Sequence, residues 1–228
     1  DGDAAGIAAL YADDAVNPYV AIAARGPWIV TLKGRIVHDN GGYGMLGFGH
    51  TPANVLATMA KPQVMANIMS PSLSHLRVAN ALRREIGHSR GACPYAKFLT
   101  LNSGSESVSL AGRSADTNTK LMTDPGARHE GKRVKRIAMK GAFHGRTELP
   151  CLYSDSSRKA YAENLAIWKH HENQLITIEP YSIDGLKKAF ADADANGWYI
   201  EAMFLEPVMG EGDPGRAVPP EFYAVARE

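Results

Sequence analysis

The residues with the clearest capacity for chemistry form a short run, Asn102-Ser-Gly-Ser-Glu106, directly after Lys97-Phe-Leu-Thr-Leu101. Five strand-type residues end in a small polar turn, and a helical pattern follows, which is the layout of a phosphate cradle. The first N–H groups of a helix have no intrahelical partner, and the helix dipole favours an anion there. Ser103 and Ser105 add hydroxyl donors, and Gly104 lets the backbone approach phosphate oxygens closely. Serine and glycine before a helix also make an ordinary N-cap. The run therefore needs support from elsewhere in the chain.

Two further loops supply it. Residues 134–140 read as a strand running into Gly141-Ala-Phe-His-Gly-Arg-Thr147, and residues 199–205 as a strand running into Glu206-Pro-Val-Met-Gly-Glu-Gly212. In open α/β sheets, ligands bind beyond the carboxyl ends of the strands. Three such tips can share one pocket that offers phosphate donors, an aromatic face (Phe143), a guanidinium (Arg146) and two carboxylates (Glu206, Glu211). That set suits a flat, phosphorylated, heteroaromatic cofactor beside a carboxylate-bearing substrate. Taken singly, Phe143 also fits a core aromatic and Arg146 a surface ion pair.

At these residues the chain resembles the class III aminotransferases, fold-type I enzymes that use pyridoxal phosphate (PLP). Gly47-Phe-Gly-His-Thr-Pro52 looks like the glycine-histidine-proline turn of that family, and all four pieces occur in the family's order at compatible spacing. The resemblance implies an α/β fold, a mostly parallel sheet with helices on both faces. It also implies an N-terminal segment of a small α+β domain over residues 1–50 and a PLP-binding large domain over residues 51–228, incomplete at its C-terminal end. Ser103, Gly104 and Ser105 are implied at the cofactor phosphate and Phe143 on the pyridine ring. His144 is implied on the cofactor side, as a histidine with its hydrogen bonds satisfied rather than a general base. Arg146 matches the substrate-carboxylate binder, a role suited to a bidentate guanidinium fork. The catalytic positions fall on Glu206, in the hydrogen-bond network of the active site, and on Glu211, which in many relatives pairs with a switching arginine. Met45 and Leu46 are expected near the substrate entrance.

The implied reaction moves an amino group, expected to be an ω-amino group, from a carboxylated amino acid to a 2-oxo acid. The implied partners are these small molecules and a second copy of the chain in a homodimer. Class III relatives also include aminomutases and a decarboxylase. The aspartate for the pyridine nitrogen and the Schiff-base lysine are not assignable in this sequence. A truncated or degenerate non-catalytic member, or a phosphate-binding α/β protein for another ligand, therefore stays open. The chain departs from the family after Glu106, where Ser107-Val-Ser-Leu-Ala-Gly-Arg-Ser114 replaces a helix-favouring run with three serines and a glycine.

Periodicity supplies the elements that must hold these residues. Residues 28–32 and 35–38, joined by Lys33-Gly34, read as a β-hairpin. Residues 51–65 read as a helix with Thr51 as N-cap and Pro52 in the first turn. Residues 74–86 carry apolar side chains at helical spacing. A helix starts near residue 105, and residues 116–132 read as a polar loop. After the strand at 134–140 comes an irregular section, then a strand at 174–178 and a helix at 183–196 closed by Gly197. The chain starts without methionine and stops inside a helical pattern opened by Pro219, which reads as a piece of something longer. The alternation of strand and helix argues for a mostly parallel sheet.

Bulk composition narrows the partners. The 228 residues are 45% hydrophobic and 21% charged, with 25 Lys+Arg against 24 Asp+Glu, so no basic field points to nucleic acid. The local run Lys132, Arg133, Lys135, Arg136 reads as a solvated strand entrance. No apolar run reaches the length of a membrane span and no signal-peptide pattern is visible. Cys93 and Cys151 lack CxxC spacing, so a reducing cytoplasm is expected and a disulfide is left open. His170-His171-Glu172 and His129-Glu130 lack ligand spacing, so no metal site is expected.

Overall fold

The computed structural model describes residues 20–40, 47–62 and 70–228. The chain divides into two compact units, residues 1–96 and 97–228. The expected boundary after residue 50 falls inside the first.

The first unit holds an antiparallel meander of β1 (Ala21–Arg25), β2 (Trp28–Thr31) and β3 (Ile36–His38). The hairpin expected from sequence is β2–β3. Its turn closes with the Gly34 N–H donating to the Thr31 carbonyl and the Thr31 N–H to the Arg35 carbonyl. β1 was not legible in the pattern. The glycine-histidine-proline turn folds onto this meander: Gly26 and His50 exchange both backbone hydrogen bonds, and a His50 ring nitrogen meets Asp39 Oδ2 at 2.8 Å. Two helices follow, α1 (Ala53–Met59) and α2 (Leu73–Gly87). Thr51 does not cap α1. It sits at φ +54° and gives its hydroxyl proton to the Ala24 carbonyl, which leaves Pro52 at the N-cap. Residues 63–65 of the expected helix lie outside the described residues. The α2 start is capped by Ser72, which accepts the His75 N–H.

The second unit contains α3 (Gly104–Thr123), β4 (Arg133–Met139), α4 (Glu148–Cys151), α5 (Arg158–Asn164), β5 (Leu175–Ile178), α6 (Ile183–Asn196), β6 (Trp198–Phe204) and α7 (Pro220–Arg227). The strands form a parallel sheet in the order β5-β4-β6. Alternation along a strand sends successive side chains to opposite faces. One face carries Ile137, Met139, Ile176, Ile178 and Met203 against Leu186 and Ala189 of α6 and Phe222 of α7. The other meets a cluster of Cys151, Leu152, Tyr153 and Trp168, backed by Val108 of α3 and by Phe204, whose ring stacks on Tyr153 at 3.7 Å. Helices therefore cover both faces. The α6 stop at Gly197 (φ +64°) is the left-handed cap the sequence announced.

Three expectations give way here. Residues 97–101 form no strand. A strand exists only with a partner ladder, and among the described residues this segment pairs with neither β5 nor β6, so Leu99 and Leu101 stay exposed. Residues 116–123 are helix rather than loop. The serines and threonines of α3 bond back along it instead of competing with it: Ser107, Ser109, Ser114, Thr117 and Thr123 each donate to the carbonyl four residues earlier. Gly112, a poor helix former, faces Tyr153 so closely that a Cβ there would collide with its hydroxyl oxygen and lie 3.0 Å from the ring edge. Finally, Arg136 is not solvated. The β4–β6 register slips by one residue, which makes Glu201 the extra residue of a bulge and aims it at Arg136. Arg136 Nε lies 2.6 Å from Glu201 Oε2, both side chains buried, as an ion pair without hydrogen-bond alignment. Gln174 accepts from the same guanidinium.

Candidate cofactor site

Backbone proximity decides whether the predicted loops share a site, and glycines record it. Gly141, after β4, and Gly212, after β6, both have positive φ. A Cβ on Gly141 would lie 2.7 Å from Gly212 Cα, and one on Gly212 would lie 2.8 Å from the Gly141 carbonyl oxygen. Gly145 (φ +117°) faces the start of α3, where a Cβ would lie 2.5 Å from Ser105 Oγ. The β4 loop thus touches both the β6 loop and the N-terminus of α3. Two strand tips and one helix start converge, rather than the three strand tips the sequence suggested.

Hydrogen bonds fix the junction. The Arg146 N–H donates to Ser105 Oγ (3.4 Å), and Thr147 shares a hydroxyl contact with Ser109 of α3 (3.2 Å). The Phe143 N–H donates to Glu206 Oε2 (3.3 Å) and the Gly210 N–H to Glu206 Oε1 (3.2 Å). Glu206 ties both loops together. Burial pushes its carboxyl above the ordinary range, the two N–H donors pull it back, and the Glu211 charge adds to the upward push.

Each candidate can now be placed. Ser103 is the N-cap of α3, accepting the Glu106 N–H at 3.2 Å, while Glu106 accepts the Asn102 N–H at 2.7 Å. The ordinary-cap reading of Ser103 is thus realised, and the hydroxyl proton is left for a ligand. Ser105 is half-buried against the β4 loop. Phe143 is half-buried, with the Arg146 guanidinium over its ring at 5.5 Å. Arg146 is exposed and makes no ion pair among the described residues. Glu211 is exposed and reaches Glu206 through its charge alone. His144 departs from expectation. Its N–H donates to Ser154 Oγ at 2.8 Å, but its Nε2 is buried without a partner among the described residues. Burial lowers its pKa to about 4, so it stays neutral beside the Phe204 ring. Met45 and Leu46 lie outside the described residues.

Three supporting residues escaped the sequence reading. Ser154 and Asp155, in the section read as irregular, hydrogen-bond the β4 loop from behind. The serine-rich run before α5 was the available signal. Tyr181, after β5, holds φ +59° while its hydroxyl donates to the Arg216 carbonyl at 3.0 Å. A buried aromatic in the left-handed region leaves no trace in sequence.

The junction fits the phosphate end of PLP. Gly104 is exposed, and a Cβ there would meet nothing within 4 Å among the described residues, so the first turn of α3 is open to a ligand. The half-buried Phe143 ring carries the Arg146 guanidinium over it, and that guanidinium makes no ion pair among the described residues.

Residues 10–228 match the family Aminotransferase class-III. Among solved structures, an ornithine aminotransferase from Toxoplasma gondii superposes with TM-score 0.68 at 20% identity, covering 99% of this chain and 50% of that one. An amine transaminase from an uncultivated Pseudomonas species, in its PLP-bound form, gives 0.65 at 19%, covering 92% and 48%. A glutamate-1-semialdehyde aminomutase from Pseudomonas aeruginosa PAO1 gives 0.62 at 18%, covering 93% and 42%. At such identities the likeness shows the fold. The chain spans about half the length of these structures. The family match covers nearly the whole sequence and supports pyridoxal phosphate as the cofactor, and the chain belongs to the class III aminotransferases.

Proposed function

We propose that the chain carries the phosphate-anchoring part of a PLP site, and that the whole protein is an aminotransferase moving an ω-amino group from a carboxylated amino acid to a 2-oxo acid. The observation that carries this reading is the meeting of the β4 and β6 loops with the start of α3, whose first residue, Gly104, is exposed. Bound there, PLP supplies the electron sink for chemistry at the carbon bearing the amine. The free N–H groups at the start of α3 and the Ser103 and Ser105 hydroxyls hold the phosphate dianion, helped by the helix dipole. Phe143 offers a flat apolar face. The Arg146 guanidinium lies over one face of that ring, 5.5 Å from its centre. The Arg146 fork takes the substrate carboxylate. Glu206 keeps the two loops together through Oε1 and Oε2, and burial favours a proton on that carboxyl.

We further propose a homodimer acting on small molecules in a reducing cytoplasm, in keeping with two free thiols. No helix among the described residues is long and apolar enough to cross a membrane.

Titrating the chain with PLP and with pyridoxal, while following absorbance and tryptophan fluorescence, tests the site. PLP is expected to bind at least about tenfold more tightly, because only it carries the anion. Gly145→Val, which drives a side chain into Ser105, should abolish the difference. Equal binding of the two ligands overturns the reading. In the whole protein Arg146→Lys should slow turnover of carboxylated substrates, and unchanged turnover defeats that role. Likeness to an aminomutase favours one alternative, transfer within a single molecule. Product analysis without an added oxo acid separates the two.

A further inference from the structure

The loop between Gly141 and Arg146 carries the ring-facing and carboxylate-facing residues yet has no regular structure, so something must fix its shape. Residues 154–156 run behind it and hydrogen-bond it almost residue by residue. Asp155 Oδ2 accepts the Gly141 N–H at 2.8 Å. The Ser156 N–H donates to the Ala142 carbonyl at 3.1 Å. Ser154 Oγ accepts the His144 N–H at 2.8 Å, and its one proton is shared between the Gly145 and Pro150 carbonyls, each 3.0 Å away. Ser154 is fully buried, so water cannot replace these bonds.

Resting on the PLP reading above, we propose that Ser154 and Asp155 are positioning residues for the cofactor ring and the substrate carboxylate. They clamp Gly141, His144 and Gly145, which leaves the Phe143 N–H directed to Glu206 and the Phe143 ring and Arg146 on the front of the loop. The Ser103 end of the phosphate cradle is capped within α3 itself, while the Ser105 end also meets the clasped loop at Gly145 and at the Arg146 N–H. The clasp therefore acts most on the ring and guanidinium end of the ligand and less on the anion end. Ser154→Ala strands a buried N–H and a buried carbonyl. Asp155→Ala strands the Gly141 N–H, whereas Asp155→Asn keeps an oxygen that can accept it.

Dissociation constants for PLP and for inorganic phosphate, measured on the wild-type chain and these three variants, test the idea. Ser154→Ala and Asp155→Ala should weaken PLP binding about tenfold and phosphate binding distinctly less, and Asp155→Asn should stay close to wild type. Amide hydrogen exchange at Gly141 and His144 should be slow in the wild type and faster in Asp155→Ala and Ser154→Ala respectively. Wild-type PLP affinity in both alanine variants overturns the clasp alone. So does equal loss of PLP and phosphate binding, or free-loop exchange at these amides in the wild type. A wild-type chain that binds phosphate but shows no preference for PLP brings down the underlying reading instead, and this inference with it.

Discussion

Both faces of the parallel sheet pack on apolar clusters, but among the described residues only one of them also buries an ion pair. On one, Ile137, Met139, Ile176 and Ile178 meet α6 and α7 in an entirely apolar contact. On the other, one residue away along β4, Arg136 faces Glu201 in a buried ion pair beneath Tyr153, whose ring centre lies 5.4 Å from the guanidinium carbon. Apolar burial stabilises without direction, at about 1.5–3 kcal/mol per large side chain. An ion pair in that position adds little net stability but punishes misplacement. The apolar face holds the sheet together. The ion pair and the stacked Phe204 ring together fix where Tyr153 sits, and Ser154 is the next residue in the chain.

The sharpest way to break this comparison is to unpair the charges. Arg136→Met alone or Glu201→Leu alone should cost about 3–5 kcal/mol in urea denaturation, because either leaves one buried charge uncompensated. The double variant should recover most of that loss. If the single changes are harmless, the polar face is no different from ordinary packing. On the apolar face, Ile137→Ala should cost about 3 kcal/mol, with additivity rather than recovery when combined with a second apolar truncation outside its contact shell.

Acid offers a third test, on the polar side. The buried His144 ring, with a folded pKa of about 4, resists protonation that the unfolded chain accepts below its ordinary 6.5. The unfolded state therefore binds more protons between those limits, so stability should fall as pH drops from about 6.5 to 4, by about 2–3 kcal/mol. His144→Gln should flatten that slope in denaturation midpoints taken across the range. The smallest effect expected is at Gly112. Alanine there gains helix propensity but crowds Tyr153, for a net loss of about 1 kcal/mol. A thermal shift toward greater stability would show that the Tyr153 side yields more readily than its packing suggests.

How much of this was readable in the sequence depended on whether a residue's role was set locally. The strands at 133–139, 175–178 and 198–204 announced themselves, because buried parallel strands are apolar runs ended by turn residues. So did the Gly197 stop and the loop glycines. Residues 97–101 looked the same but lack a ladder, and a pattern cannot show whether a partner strand is present. Arg136 looked like a surface charge in a basic run, and Glu201 drew no notice in its own segment. Their pairing arises from a register slip between strands about 60 residues apart in sequence. The candidate site was legible as three loops, while its supports at Ser154, Asp155 and Tyr181 were not, since a buried serine and a left-handed tyrosine acquire their roles only through distant neighbours.

The touching backbones of Gly141 and Gly212 have a practical consequence for anyone recombining this protein with a relative. Neither loop can accept a side chain at that point unless the other retreats, so the two segments must be exchanged together. A chimera joined anywhere between residues 147 and 206 inherits each half of that contact from a different parent, and it will close only where both parents leave the same gap.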